Sequence, residues 1–227
     1  MAQVKRAAGV STILDEASLA RGVSRLVKRD GDLARVVEEY GRPALWAREP
    51  GFETLVLTIL EQQVSLASAA ATHARLLAAA GEVTPARLAG MSDAEVRAAG
   101  ITRQKSVYLR DLARLIVEGG LDLRGLDKLD DDAARAELTK VKGIGAWTAE
   151  IYLLRALGRP DAWPTGDLAL AIAAERVKRL KSRPTTAELI VLAEAWRPWR
   201  SVAARILWQF YLHAPRKAVS HQLSAVS

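Results

Sequence analysis

Two glycines that flank a single apolar residue constrain this chain more than any other feature. Gly143-Ile144-Gly145 stands between two stretches with helical periodicity. Glycine reaches positive φ at little cost, so the turn between the two helices can be very tight, with Ile144 filling the gap between them. Backbone N–H groups at the turn and at the next helix start then point outward and suit a phosphate oxygen. The alternative is an ordinary helical hairpin whose glycines only end a helix.

The rest of the chain also has helical patterns joined by short connections. Capping boxes at Ser92 and Thr185, and a threonine before proline at Thr84-Pro85, are typical of helix starts. The breaks are expected near residues 30–31, at Gln62-Gln63 and at the hairpin. Apolar periodicity predicts helices over residues 15–39, 53–80, 102–117, 130–140, 146–157, 167–180 and 200–213.

Because no strand pattern is present, we expect an all-α fold with two helical lobes that flank a cleft. A central lobe is expected over residues about 50–160, and the two chain ends form the second lobe. Together they make a single domain over residues 1–213. The polar segment 214–227 is expected to be a disordered tail.

Composition limits the classes of function. The 227 residues carry 33 Lys and Arg against 26 Asp and Glu, a net charge of +7 that attracts polyanions. No apolar run is long enough to span a bilayer and no secretory signal is present, so we expect an intracellular soluble protein. The absence of cysteine excludes disulfides, a cysteine nucleophile, zinc–thiolate sites and Cys-ligated iron–sulfur clusters.

A second motif follows the hairpin, where Pro164-Thr165-Gly166 precedes Asp167 at a predicted helix start. An N-cap role alone would explain an aspartate there. Asp167 also follows the glycine turn by one helix and one loop, so its carboxylate can lie near whatever the hairpin binds. Asp161 is a weaker candidate that we expect to be a solvated loop residue. Arg200 is expected to pair with an internal acid or carbonyl.

Four segments in order resemble the helix-hairpin-helix DNA glycosylases, within which the chain is most similar to the 3-methyladenine DNA glycosylase II type. They are residues 60–65 (LEQQVS), the hairpin, residues 164–167 (PTGD) and residues 196–201 (WRPWRS). The resemblance implies hydrolysis of the N-glycosidic bond of alkylated purines in duplex DNA, after the base has left the stack. It assigns the catalytic carboxylate to Asp167.

The same resemblance assigns the tryptophans. Bifunctional relatives carry a Schiff-base lysine two residues after the second glycine, and this chain has Trp147 there, which implies a glycosylase without lyase activity. Trp147 is expected to stack on the everted base, and core packing is its alternative. Trp46 and Trp163 are weaker candidates for the base pocket, and each has simple burial as its alternative.

DNA contacts are implied as well. Gln63 takes the position of the wedge that fills the gap left by the everted base, with a helix-breaking polar residue that caps a backbone group as its alternative. Ser65 is expected to contact a phosphate or to cap a helix, and Lys142 adds charge beside the hairpin. A later basic run is typical of a solvated helix face and can also extend the phosphate-binding surface: Arg176, Lys178, Arg179, Lys181 and Arg183.

No organic cofactor is implied. The resemblance allows a Na⁺ or K⁺ at the hairpin, held by the carbonyls of Thr139, Val141 and Ile144. The expected partner is double-stranded DNA with alkylated bases, bound by a monomer. Two rival hypotheses remain: a non-catalytic helix-hairpin-helix protein that only binds DNA, and a basic helical scaffold for a protein partner.

Overall fold

The computed structural model describes residues 13–215, and this part of the chain is helical without a strand, which confirms the all-α prediction. Most of the predicted tail 214–227 lies outside the described residues. A short 3-10 helix spans Leu126–Lys128. The α-helices are α1 (Glu16–Arg29), α2 (Gly31–Tyr40), α3 (Phe52–Glu61), α4 (Leu66–Ala80), α5 (Pro85–Gly90), α6 (Asp93–Ala98), α7 (Arg103–Val117), α8 (Asp131–Thr139), α9 (Ala146–Arg155), α10 (Leu168–Val177), α11 (Thr186–Glu194) and α12 (Arg200–His213).

Helix starts agree closely with the capping signals. Thr84 and Thr102 cap α5 and α7 with their side chains, and Pro85 is the first residue of α5. Both predicted capping boxes are confirmed, because the Ser92 and Thr185 N–H groups each donate to the glutamate three residues later, at 2.7 and 2.8 Å. These side chains satisfy N–H groups that a helix start leaves without an intrahelical partner.

Helix packing falls into two groups. In the central group α3 packs against α4, α7 and α9, while α5 packs on α7 and α8 on α9. In the other group α12 packs against α1, α2, α10 and α11, so the two ends of the chain meet around one helix. Residues 201–208 of α12 are all buried, as expected for a helix that is surrounded on every side.

Several sequence-based expectations need correction. The helix predicted over 146–157 ends at Arg155, and the one predicted over 167–180 ends at Val177, because Arg179 adopts a left-handed φ of 52°. Asp161 is not a solvated residue. It accepts from the Arg200 Nε at 3.0 Å and pairs with Arg197, which confirms the internal pairing expected for Arg200.

Within the described residues, none of the helices has the length and apolar character needed to cross a bilayer.

Candidate active site

The hairpin between α8 and α9 has the predicted tight turn. Gly143 adopts a φ of 86°, and a Cβ at this position would lie 2.2 Å from the Tyr108 ring, so both conformation and space require glycine. Ile144 is buried between the helices, as expected. Gly145 differs, because its backbone is extended and a Cβ there would meet no atom of residues 13–215 within 4 Å. Packing among these residues therefore gives no reason for the second glycine.

The N-terminus of α9 offers free donors to a ligand. Gly145 is the N-cap residue and supplies no side chain, in contrast to the capped starts of α7, α8 and α10. The N–H groups of Gly145, Ala146 and Trp147 have no acceptor in the described part of the protein. Lys142 is exposed beside them. Outward N–H groups, the helix dipole and a nearby lysine form an arrangement suited to an anion.

Asp167 stands at the start of α10 and faces the hairpin helix. Its Oδ1 accepts the Leu170 N–H at 2.9 Å, which confirms the N-cap role. Its Oδ2 accepts the Trp147 indole N–H at 2.9 Å. The Trp208 indole N–H, from α12, reaches Oδ1 at 3.3 Å. One carboxylate is thus held by side chains from both helix groups and remains half-buried rather than sealed in the core.

Two tryptophans, Trp147 and Trp208, contact this carboxylate, and a third, Trp46, packs against Trp208. Trp147 is half-buried, so one part of its ring stays accessible next to Asp167. Trp208 is nearly buried, at 7% exposed, and its ring lies 6.1 Å from that of Trp46, with the two planes tilted by 57°. Trp46 lies in the loop between α2 and α3 with a left-handed φ of 49°. These rings supply an aromatic surface beside the carboxylate.

Trp163 does not join this group. It is buried and packs against Trp196, with ring centroids 5.6 Å apart. Its backbone N–H donates to the Glu150 carboxylate at 3.0 Å. The structure therefore favours burial, the alternative to the predicted pocket role.

Trp208 is the residue that the sequence-based prediction missed. Two helices, two loops and the first part of α12 separate it from Asp167, and no local motif marks it among the apolar residues of α12. The one available signal was the abundance of tryptophan, since six of the twelve aromatic residues are Trp. Behind its ring, the Arg155 guanidinium lies 5.8 Å from the centroid and donates to Glu61 at 2.8 Å. Arg48 also donates to Glu61, at 3.1 Å.

The loop between α3 and α4 carries the predicted wedge. Gln63 is exposed and adopts a left-handed φ of 57°, so its side chain projects from the surface between the two helices. Ser65 accepts the Ser68 N–H at 3.2 Å, which bears out the capping role offered for it. The preceding residue, Gln62, binds the hairpin through its side-chain amide, at 2.8 Å from the Gly143 carbonyl.

Several known proteins are similar to this chain. A sequence profile of the HhH-GPD superfamily of base excision DNA repair proteins matches residues 56–200, which is more than half of the chain. The chain is 27% identical to the putative DNA-3-methyladenine glycosylase YfjP of Bacillus subtilis, over 88% of this chain and 77% of that protein. It is also similar to the Schizosaccharomyces pombe 3-methyladenine DNA glycosylase Mag1 solved in complex with abasic DNA, with a TM-score of 0.81 and 26% identity. That similarity covers 87% of this chain and 99% of Mag1.

A second solved structure, a DNA-3-methyladenine glycosidase from Bacillus halodurans, is 31% identical with a TM-score of 0.70, over 84% of this chain and 88% of that one. The hairpin and the aspartate at the start of α10 both lie inside the matched region. The chain belongs to the HhH-GPD superfamily of base excision DNA repair proteins.

Proposed function

We propose that this protein is a monofunctional DNA glycosylase that hydrolyses the N-glycosidic bond of alkylated purines, such as 3-methyladenine and 7-methylguanine, in duplex DNA. Its reaction would initiate base excision repair. The observation that carries the proposal is the Asp167 carboxylate, which two indole N–H groups hold beside the hairpin. The relatives named as 3-methyladenine glycosylases support the substrate class.

The carboxylate supplies the chemistry. As the base departs, the deoxyribose develops positive charge in a transition state that resembles an oxocarbenium ion. A nearby carboxylate stabilises that charge and orients the attacking water. Within the described residues Asp167 has no Lys or Arg partner, so its negative charge is available to the sugar. A purine alkylated at N3 or N7 is cationic and leaves without strong acid assistance, so one carboxylate suffices.

The aromatic rings form the pocket for the everted base. Trp147 lies directly beside Asp167, and Trp208 and Trp46 extend the surface. A cationic base on a tryptophan face gains about 0.5–2 kcal/mol, which offsets part of the few kcal/mol needed to unstack it. We therefore add Trp208 to the predicted pocket and leave Trp163 out.

The lack of lyase activity follows from Trp147. A β-lyase step needs an amine that forms a Schiff base with the sugar. The side chain at this position is an indole whose N–H already donates to Asp167. It offers no nucleophilic amine.

The hairpin would bind the DNA backbone. Phosphate binds the free N–H groups at the start of α9, close to Lys142, and the missing Cβ of Gly145 leaves room for it to approach. The Ser65 hydroxyl accepts from a backbone N–H and still has its own proton to donate to a phosphate. Gln63 would enter the duplex as the wedge.

A monovalent cation at the hairpin is part of the proposal. The carbonyls of Thr139, Val141 and Ile144 would hold Na⁺ or K⁺. The Val141 carbonyl accepts the Ile144 N–H at 3.0 Å, which leaves its second lone pair for a cation. Such an ion would add positive charge beneath the bound phosphate. We further propose that the protein works as a monomer on chromosomal DNA, inside the cell.

The test compares wild type with Asp167→Asn on methylated duplex DNA, with released bases identified by mass spectrometry. Wild type should release alkylated purines, and the variant should be slower by roughly 100-fold or more because the anionic charge is gone. Asparagine caps a helix about as well as aspartate, so stability and binding to abasic DNA should be retained.

Asp130→Asn is the matched control, because Asp130 caps α8 through the Ala133 N–H at 2.8 Å. It should leave base release unchanged. Tight DNA binding by wild type without any base release would instead favour a non-catalytic DNA-binding protein. If rising salt concentration does not lower the DNA affinity of wild type or of Asp167→Asn, the scaffold hypothesis is favoured.

A further inference from the structure

Residues 62–65, between α3 and α4, form the wedge loop. A side chain that has no assigned role binds this loop to the hairpin. Gln62 is half-buried, and its amide nitrogen donates to the Gly143 carbonyl at 2.8 Å and to the Thr148 hydroxyl at 2.9 Å. One acceptor belongs to the glycine turn and the other to the first turn of α9, where Thr148 is buried. Both amide protons of Gln62 are therefore used on the element that would hold the phosphate.

Lys105 binds the same loop from its other side. Its ammonium donates to the carbonyls of Leu60 and Gln62, each at 2.8 Å, at the C-terminal end of α3 where the helix dipole is negative. No carboxylate pairs with Lys105 in the described part of the chain, and burial lowers its pKa. One helical turn later Tyr108 packs against the Gly143 backbone. One face of α7 thus supports both the wedge loop and the hairpin.

The next residue, Gln63, has an unfavourable backbone conformation. Gln63 adopts a φ of 57°, a left-handed conformation that costs a residue with a side chain free energy unless its surroundings hold it there. Its neighbour Gln62 is held by both its side chain and its carbonyl. These contacts define the direction in which the exposed Gln63 side chain projects.

We propose that Gln62 and Lys105 are positioning residues that hold Gln63 at a set distance from the hairpin, so that phosphate binding at the hairpin presents the wedge to the lesion. This inference rests on the proposed function, because it assumes that Gln63 enters duplex DNA. It assigns lesion preference partly to two side chains that need not touch DNA.

The test measures binding to two duplexes, one undamaged and one with an abasic-site analogue next to 2-aminopurine, whose fluorescence reports unstacking. Gln62→Met keeps length and volume and removes both hydrogen bonds. The preference for the abasic duplex should fall about tenfold, with the fluorescence change reduced and undamaged binding retained. The double variant Gln62→Met/Gln63→Ala should be no worse than Gln63→Ala alone, because both act through the wedge.

Lys105→Met should reproduce the loss, and Lys105→Arg should restore much of it by donating to the same carbonyls. The matched control is Arg87→Met. Arg87 also donates to two carbonyls at a helix end, those of Ala79 and Ala80, but at the far end of α4. This variant should keep the lesion preference even though it loses the same type of contact.

Three outcomes would overturn the positioning role: unchanged lesion preference in folded Gln62→Met and Lys105→Met, effects of Gln62→Met and Gln63→Ala that simply add, or an equal loss in Arg87→Met. The duplexes contain an abasic analogue, so these readings do not depend on base release. If wild type releases no base yet Gln62→Met and Lys105→Met lose lesion preference, the proposed reaction fails and the positioning role stands.

Discussion

Two aspartates in this protein have the same local setting and opposite consequences. Asp30 caps α2 and accepts the Trp196 indole N–H at 2.8 Å, just as Asp167 caps α10 and accepts the Trp147 indole N–H at 2.9 Å. Asp30 also accepts two hydrogen bonds from the Lys178 ammonium, at 2.8 and 3.0 Å. Helix capping and indole contacts are therefore not what distinguishes the proposed catalytic carboxylate from a structural one.

The distinguishing feature is the cation. Burial alone would raise the pKa of Asp30, but hydrogen bonds from Lys178 and Trp196 outweigh it and hold that pKa below its ordinary value. Its charge is already neutralised by a neighbour. Asp167 has three N–H donors and, among the described residues, no cationic partner. Its charge is oriented but left uncompensated, which suits a deoxyribose that develops positive charge only during the reaction.

The same substitution should impair stability at Asp30 and base release at Asp167. Asp30→Asn keeps a capping side chain but leaves Lys178 with only Asp32, at 2.7 Å, as its carboxylate. We expect a loss of about 2 kcal/mol in the free energy of unfolding, because the pair is largely buried. Base release per folded molecule should be unchanged. Urea unfolding and single-turnover kinetics would check both, and a slow but fully stable variant would contradict the distinction.

This loss should depend on pH. The folded pKa of Asp30 lies below the ordinary value of 3.8, so its contribution to stability is present above that value and is lost as pH falls through the folded pKa. The stability difference between wild type and Asp30→Asn should therefore shrink in acid. A difference that stayed constant down to pH 3 would mean that the ion pair is not its source.

The position of Asp167 near the hairpin could be inferred from the sequence, whereas the cationic partner of Asp30 could not, for a physical reason. Helix starts such as Ser92 and Thr185 were predictable because a capping box depends on residues three apart. The hairpin and Asp167 were predictable because they form compact motifs within one stretch. Lys178, in contrast, belongs to a basic run that is typical of a solvated face, and only the fold brings it to Asp30, 148 residues away.

Trp208 was missed for the same reason. It reaches Asp167 across the boundary between the two helix groups, and the preceding residues 201–207 of α12 are all buried, so burial alone would account for it. Trp163 shows the converse case, because a tryptophan close to Asp167 in sequence packs in the core. Contacts within one motif can be inferred from spacing, whereas contacts between helices that are distant in sequence require the fold.

The two aspartates should also differ in how they depend on their indole donors. Trp147→Phe keeps the aromatic ring and removes the 2.9 Å donor to Asp167, so base release should fall about tenfold while abasic-DNA binding changes little. The matched variant is Trp196→Phe, which removes the 2.8 Å donor to Asp30. It should lower stability and leave base release intact. Equal losses of base release and DNA binding in Trp147→Phe would defeat the orienting role.

The smallest effect is expected at the second indole. The Trp208 N–H lies 3.3 Å from Oδ1, an oxygen that the Leu170 N–H already holds at 2.9 Å. Trp208→Phe should therefore lower base release only about threefold, with the ring still available to the Arg155 guanidinium and to the base. Single-turnover rates for both phenylalanine variants give the order. If Trp208→Phe proves more damaging than Trp147→Phe, the donor from α12, rather than the one from the hairpin helix, is the one that orients the carboxylate.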